Sequence, residues 1–63
     1  MDLDQQNTNW DNADLSNMDL RNVDFTGASL RNTKFCNADL RGAKLYNACI
    51  YGADFTGTRL WED

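Results

Sequence analysis

Large apolar residues recur at every fifth position along almost the whole chain. Two positions before each of them stands a small or modest side chain, most often Ala or Thr, and two positions after stands Asn or Gly in every unit but the last, which has Glu62. The apolar residues, called central residues below, are Trp10, Leu15, Leu20, Phe25, Leu30, Phe35, Leu40, Leu45, Ile50, Phe55 and Leu60. The chain is therefore a tandem five-residue repeat from residue 8 to residue 62.

A period of five fits neither a helix nor a straight strand. In a helix each step of five residues turns the side chain by roughly 140°, which would spread the central residues around the cylinder. In a strand the side chains alternate, so Leu15 and Leu20 would point to opposite faces. Both conflicts disappear if the backbone turns a corner once per unit. Because Asn and Gly tolerate the positive φ of tight turns, the pattern predicts a β-solenoid with Asn or Gly at each corner.

Charged residues just before the central ones indicate how many sides one coil has. Stacked strands bring equivalent residues within about 4.8 Å, where opposite charges are favoured. A 15-residue coil would give mostly like-charge pairs. A 20-residue coil gives the opposite-charge stacks Asp14–Lys34–Asp54, Asp24–Lys44 and Asp39–Arg59, against the single like-charge pair Asp19–Asp39. The charges therefore favour four sides.

The units resemble the motif of the pentapeptide-repeat family, which is roughly Ala-Asp/Asn-Leu-X-X. The best matches are Ala13-Asp14-Leu15, Ala38-Asp39-Leu40 and Ala53-Asp54-Phe55. The resemblance extends over residues 8–62 and implies an all-β fold, a right-handed quadrilateral β-helix, here of just under three coils. Departures such as Met18 and Val23 at the small position indicate a wider or less regular first coil.

Residues 1–7 lie outside the repeat by this pattern. They are acidic and polar, and Leu3 is their one apolar residue beyond Met1. We expect them either to cap the first coil, with Leu3 against Trp10, or to be disordered. The segment lacks the features of a signal peptide and the chain has no long apolar run, so we expect no membrane span and take the cytoplasm as the default compartment.

Residue types needed for most catalytic and metal sites are missing. Without histidine the chain can form neither a Ser–His nor a Cys–His nucleophile, and its glycines sit at corners rather than in a phosphate-binding motif. Cys36 and Cys49 fall on different sides of successive coils, and their spacing predicts neither a disulfide nor a zinc site. We therefore expect no enzymatic activity, no cofactor and no metal.

The net charge of −4 comes from the two ends of the chain. Residues 8–61 carry six acidic and six basic side chains, whereas Asp2, Asp4, Glu62 and Asp63 supply the excess. The side with the most arginine, which carries Asp19, Arg21, Asp39, Arg41, Arg59 and Trp61, has a net charge of only +1. Nucleic-acid binding requires a basic face, so none is expected.

Exposed aromatic positions are confined to the C-terminal end. The sequence leaves nothing to cover the last layer of central residues, and interfaces are enriched in aromatics and arginine. We therefore predict a non-catalytic structural or protein-interaction module that forms a homo-oligomer, a dimer, through its C-terminal coil, with an unidentified protein partner also open. The predicted interaction residues are Tyr46, Tyr51, Arg59 and Trp61. Alternatively, these aromatics only cover a frayed edge, and Glu62 and Asp63 would repel their copies in a tail-to-tail dimer.

Two other functions are compatible with the sequence. The family resemblance alone implies a DNA mimic that inhibits or protects DNA gyrase, although this chain is short and its repeat body is neutral. The near-uniform repeat is also compatible with a truncated or engineered minimal solenoid that has no specific activity, although Met18, Val23, Cys36 and Cys49 look undesigned.

Overall fold

The computed structural model describes residues 1–61 of the 63-residue chain. Two-residue turns recur every five residues, from 6–7 through 56–57, and the described residues contain no helix and no strand longer than one residue. Isolated parallel bridges take the place of strands. They join Asp4–Asp24, Asn9–Ser29, Asp14–Lys34, Asp19–Asp39, Asp24–Lys44, Ser29–Cys49, Lys34–Asp54 and Asp39–Arg59. Every bridge spans 20 residues, so each coil has four turns and the predicted charge stacks are present.

Each corner is a β-turn that begins at a central residue. At one of them Ala28 N–H donates to the Phe25 carbonyl over 2.9 Å, and the third turn residue, Gly27, has a φ of 72°. The negative-then-positive φ pattern is that of a type II turn. Asn serves the same purpose at other corners, for example Asn17 with a φ of 64°. The predicted role of the Asn/Gly position is confirmed.

Backbone hydrogen bonds join successive coils on every side. Leu15 N–H donates to the Lys34 carbonyl over 2.8 Å, and Lys34 N–H donates to the Ala13 carbonyl over 2.9 Å. At the following corner, Asn17 N–H donates to the Cys36 carbonyl over 2.9 Å. Each side is thus bonded along its extended part and again at its turn, which satisfies backbone groups that the stacking removes from water.

Central residues from neighbouring units share one interior. Leu15 and Leu20 are both buried, which confirms that side chains five apart point to the same axis. Phe35 lies between two rings of the core, edge-on to Phe25 with centroids 6.4 Å apart and stacked on Phe55 with centroids 5.2 Å apart. The buried apolar core is formed by Leu15, Leu20, Val23, Phe25, Ala28, Leu30, Phe35, Ala38 and Leu40. The best-packed layer is therefore the middle of the stack.

Threonine can occupy the small inward position because its hydroxyl reaches the coil below. Thr33 is fully buried and donates from Oγ1 to the Trp10 carbonyl over 2.9 Å. Thr58 repeats the arrangement with the Phe35 carbonyl at 2.6 Å. A buried hydroxyl without a partner would be costly, and these bonds remove that cost.

The N-terminal segment joins the stack one unit earlier than the apolar pattern indicates. Asp4 bridges to Asp24, and Asn7 forms a corner with a φ of 58°. The central position of this unit is the polar Gln5, whose Oε1 accepts a 3.3 Å hydrogen bond from Trp10 Nε1. Leu3, predicted to pack on Trp10, is 55% exposed. At the other end, Glu62 of the predicted last unit lies outside the described residues.

Candidate interaction surface

The predicted interaction residues lie around the rim of the C-terminal coil. Tyr46, Tyr51 and Trp61 are 68%, 80% and 73% exposed, and Arg59 is exposed as well. Each aromatic follows a central residue at a different corner. The structure therefore brings only Arg59 and Trp61 together, on either side of Leu60, and places the two tyrosines at other corners of the same rim.

Arg59 and Trp61 both line a shallow depression. Thr58 and Leu60 complete its lining, and its volume is about 210 Å³. Arg59 also stands in the same column as Asp39, to which its backbone is bridged. The depression combines one cation, one indole ring and one apolar side chain, a composition typical of protein interfaces.

The C-terminal layer of central residues is open, in contrast to the N-terminal layer. Ile50 and Leu60 are 45% and 39% exposed, while the corresponding Leu20 of the first coil is fully buried. Leu45 and Phe55 are half-buried. At the opposite end the Trp10 indole is half-buried and donates a hydrogen bond to Gln5. The apolar surface offered to a partner is thus concentrated at the C-terminal face, defined here by the last coil, residues 48–61.

Backbone groups at the C-terminal face are open too. In the middle coil, N–H groups of Leu30, Phe35 and Leu40 donate to carbonyls of Cys49, Asp54 and Arg59. Their counterparts one coil later, the N–H groups of Ile50, Phe55 and Leu60, bond to nothing within residues 1–61. An exposed row of unpaired donors and acceptors is a template for pairing with another chain.

An ion pair with two hydrogen bonds stands one coil below this face. Arg41 binds Asp39 with two bonds, from Nε at 2.8 Å and from a terminal nitrogen at 2.6 Å. These hydrogen bonds, with the nearby charges of Arg41 and Arg59, lower the pKa of the Asp39 carboxyl to about 2. The equivalent pair in the first coil, Arg21 with Asp19, is more exposed, at 53% and 62% against 22% and 20%.

Sequence reasoning missed a polar cluster on another side. The Cys49 Sγ lies 3.3 Å from Nε of Arg31, and both cysteines are free thiols. The Tyr51 backbone N–H and then the Arg31 guanidinium lower the pKa of the Cys49 thiol. The 18-residue separation of the pair was the available signal, because it places Arg31 diagonally opposite Cys49 on stacked coils.

Two structural features are absent from the described part of the chain, a metal-binding cluster and a membrane-spanning helix. Residues 1–61 contain no group of three or more Cys, Asp or Glu side chains arranged to hold a metal ion. The same residues include no helix long and apolar enough to cross a membrane.

Comparison with known families agrees with this geometry. Models of pentapeptide repeats match residues 6–35 and 24–61, with eight copies of the repeat. The chain belongs to the pentapeptide-repeat family. None of the curated proteins compared with the chain matches it. The first family match begins at residue 6, inside the N-terminal segment that the apolar pattern leaves out of the repeat.

Proposed function

We propose that this pentapeptide-repeat chain is a right-handed quadrilateral β-helix that acts as a non-catalytic structural and protein-interaction module in the cytoplasm. It associates with a second copy of itself through the C-terminal face. The observation that carries the proposal is the difference between the two ends, with Leu20 buried and Leu60 exposed at equivalent positions.

Three properties of the C-terminal face support this role. Its exposed central residues provide apolar area, its rim provides Trp61 and two tyrosines, and its edge provides unpaired backbone donors. Small solenoids bury little surface alone and need protected ends. Covering the last layer would therefore stabilise the fold at the same time as it forms the complex.

The test is the mass of the chain in solution. Light scattering coupled to size exclusion should give a mass above that of one chain at high micromolar concentration. Trp61→Ala should weaken association by ~2 kcal/mol or more if the indole is an interface anchor. Lys34→Ala, an exposed substitution in the coil below the face, serves as the control. A monomer at every concentration would overturn the proposal.

The gyrase-directed alternative gains nothing from the surface charges. A DNA mimic requires rows of negative charge, but each outward column that carries charge includes a basic residue, as in Asp14, Lys34 and Asp54. Arg59 follows Asp19 and Asp39 in one of the other columns, and Lys44 follows Asp4 and Asp24 in the other. A supercoiling assay that showed inhibition or protection of gyrase by the chain would favour the mimic over the self-associating module.

A further inference from the structure

The two open edges of the stack carry opposite hydrogen-bonding excesses. On the three sides of the C-terminal face, five N–H groups but three carbonyls are unpaired within residues 1–61. The donors belong to Ile50, Gly52, Phe55, Gly57 and Leu60, and the acceptors to Ala48, Ala53 and Thr58. The assignment follows from the middle coil, where the residues 20 positions earlier make these bonds.

The N-terminal edge has the reverse composition. Within residues 29–39, the middle coil bonds to the first coil through three N–H groups and five carbonyls, and the equivalent groups of residues 9–19 are unpaired within residues 1–61. The unpaired N–H groups are those of Asn9, Asp14 and Asp19. The unpaired carbonyls are those of the same three residues and of Asp11 and Ser16. We define the N-terminal face by residues 8–22.

We propose that the occupant of the C-terminal face is the N-terminal face of a second copy, stacked head-to-tail so that each of residues 8–20 of the incoming copy takes the place that the residue numbered 60 higher would have in a longer solenoid. In this register each open donor meets an open acceptor. Phe55 N–H would donate to the Asp14 carbonyl, and Asp14 N–H to the Ala53 carbonyl. This inference rests on the proposed self-association and specifies its geometry.

A tail-to-tail dimer does not satisfy the same groups. It would bring together two edges that each have more N–H groups than carbonyls, so the corner N–H groups of Gly52 and Gly57 would lack acceptors. Burying a backbone donor without a partner costs about 1–3 kcal/mol per group. Donor and acceptor balance therefore favours the head-to-tail arrangement.

Side chains in the head-to-tail register agree with the backbone. The half-buried Trp10 would lie over the exposed Ile50. Leu20, fully buried within its own copy, would stand in the same column as Leu60. Asp19 would stand next to Arg59, which would then lie between two acidic residues, Asp39 of its own copy and Asp19 of the incoming one. Asp14 over Asp54 is the one like-charge contact, comparable with the Asp19–Asp39 bridge inside the chain.

The corners also accept this register. Asn12 would follow Gly52, and Asn17 would follow Gly57, an order that already occurs between Gly27 and Asn47, 20 residues apart in the chain. The contact uses three of the four sides.

Head-to-tail contact is heterologous and does not close on itself. Each added copy leaves another C-terminal face open, so the wild-type chain should form linear assemblies that lengthen with concentration. A tail-to-tail contact would stop at two copies. The two geometries therefore differ in mass as well as in the faces used.

Complementary single-face variants test the geometry. Ile50→Lys places a charge on the C-terminal face, and Met18→Lys places one on the N-terminal face. Head-to-tail stacking predicts that each variant alone is monomeric, with association at least tenfold weaker than in the wild type. An equimolar mixture should form a one-to-one complex through the two unmodified faces. Leu60→Lys and Asn9→Pro provide a second pair, and circular dichroism with thermal unfolding shows which variants are folded.

Each result decides between the proposals. A dimer of Met18→Lys alone would overturn head-to-tail stacking and leave self-association through the C-terminal face intact. A mixture that stays monomeric while the wild type associates would also overturn the stacking geometry. A monomeric wild type at high micromolar concentration would overturn both the geometry and the proposed function.

Discussion

Phe35 and Phe55 stack almost parallel, with ring centroids 5.2 Å apart and an interplanar angle of 5°. They are 20 residues apart, so they occupy the same column of successive coils, as the repeat predicts. Phe35 is fully buried and also meets Phe25 edge-on, whereas Phe55 is half-buried in the last coil. The column thus contains one ring with two aromatic partners and one ring with a single partner.

Replacing these rings with leucine should cost unequal amounts of stability. Each aromatic pair contributes about 0.5–1.5 kcal/mol beyond burial, so Phe35→Leu loses two such contributions and Phe55→Leu loses one. Urea unfolding should show the larger drop in the free energy of unfolding for Phe35→Leu. The double variant should cost less than the sum of the two singles, because they share one pair. Equal costs for the two singles would contradict the packing described here.

Gly42 should resist substitution for two separable reasons. Its φ is 76°, and a Cβ at this position would collide with the side-chain oxygen of Asn22 in the coil below. Gly42→Ala should therefore lower the free energy of unfolding by roughly 1–3 kcal/mol or more. Adding Asn22→Gly should recover the part due to the collision. Asn47→Ala, at a corner with a φ of 58° that already carries a Cβ, should show backbone strain alone. The same cost for Gly42→Ala and Asn47→Ala would argue against the collision.

Acid should weaken the fold through Asp39. Its folded-state pKa is about 2, below the ordinary value of 3.8, because the Arg41 side chain hydrogen bonds to the charged carboxylate. The contribution to stability is complete well above the ordinary pKa of 3.8 and is lost as the pH falls toward the folded-state value of about 2. Asp39→Asn should therefore flatten the fall in the free energy of unfolding between these pH values. Asp19→Asn, at the more exposed pair, should flatten it less. If Asp39→Asn lost stability with falling pH as steeply as the wild type, the Asp39 carboxylate would not be the cause of the acid sensitivity.

Cys49 should react faster with an alkylating agent when Arg31 is present. The Tyr51 N–H and the Arg31 guanidinium lower the thiol pKa, so more thiolate is present near neutral pH. In a Cys36→Ser background, Arg31→Met should slow alkylation of Cys49 by iodoacetamide and move the midpoint of the rate profile to higher pH. Lys34→Met should leave both unchanged. An Arg31→Met rate equal to that of the background would show that the guanidinium does not act on the thiol.

The coil and its contents could be predicted because both depend on a strict spacing. A corner every five residues and charge pairs 20 apart define which side chains stack, as with Asp14 and Lys34. The N-terminal boundary could not be predicted in this way. Gln5 is polar, so the apolar repeat starts one unit later in the chain than the repeat of backbone turns does. Asn7, at a corner with positive φ, was the one remaining signal of this earlier unit.

The candidate surface was only partly predictable. The exposed positions of Tyr46, Tyr51 and Trp61 follow from their place in the repeat, but their distribution over separate corners depends on the direction of each side of the coil. The unequal numbers of open N–H groups and carbonyls at the two ends are a property of the hydrogen-bond register. No residue type in the sequence records it.

The hydrogen bonds between coils also set how the chain folds. Bonds such as Leu15 N–H to the Lys34 carbonyl connect residues almost a whole coil apart. The first circuit must therefore close at an entropic cost before any of these bonds forms, and a loop of twice the length would cost only about 0.6 kcal/mol more. After that nucleus, each further side wraps onto a finished template. We therefore expect the middle coil to form first, the remaining sides to add to it one after another, and both ends to unfold first.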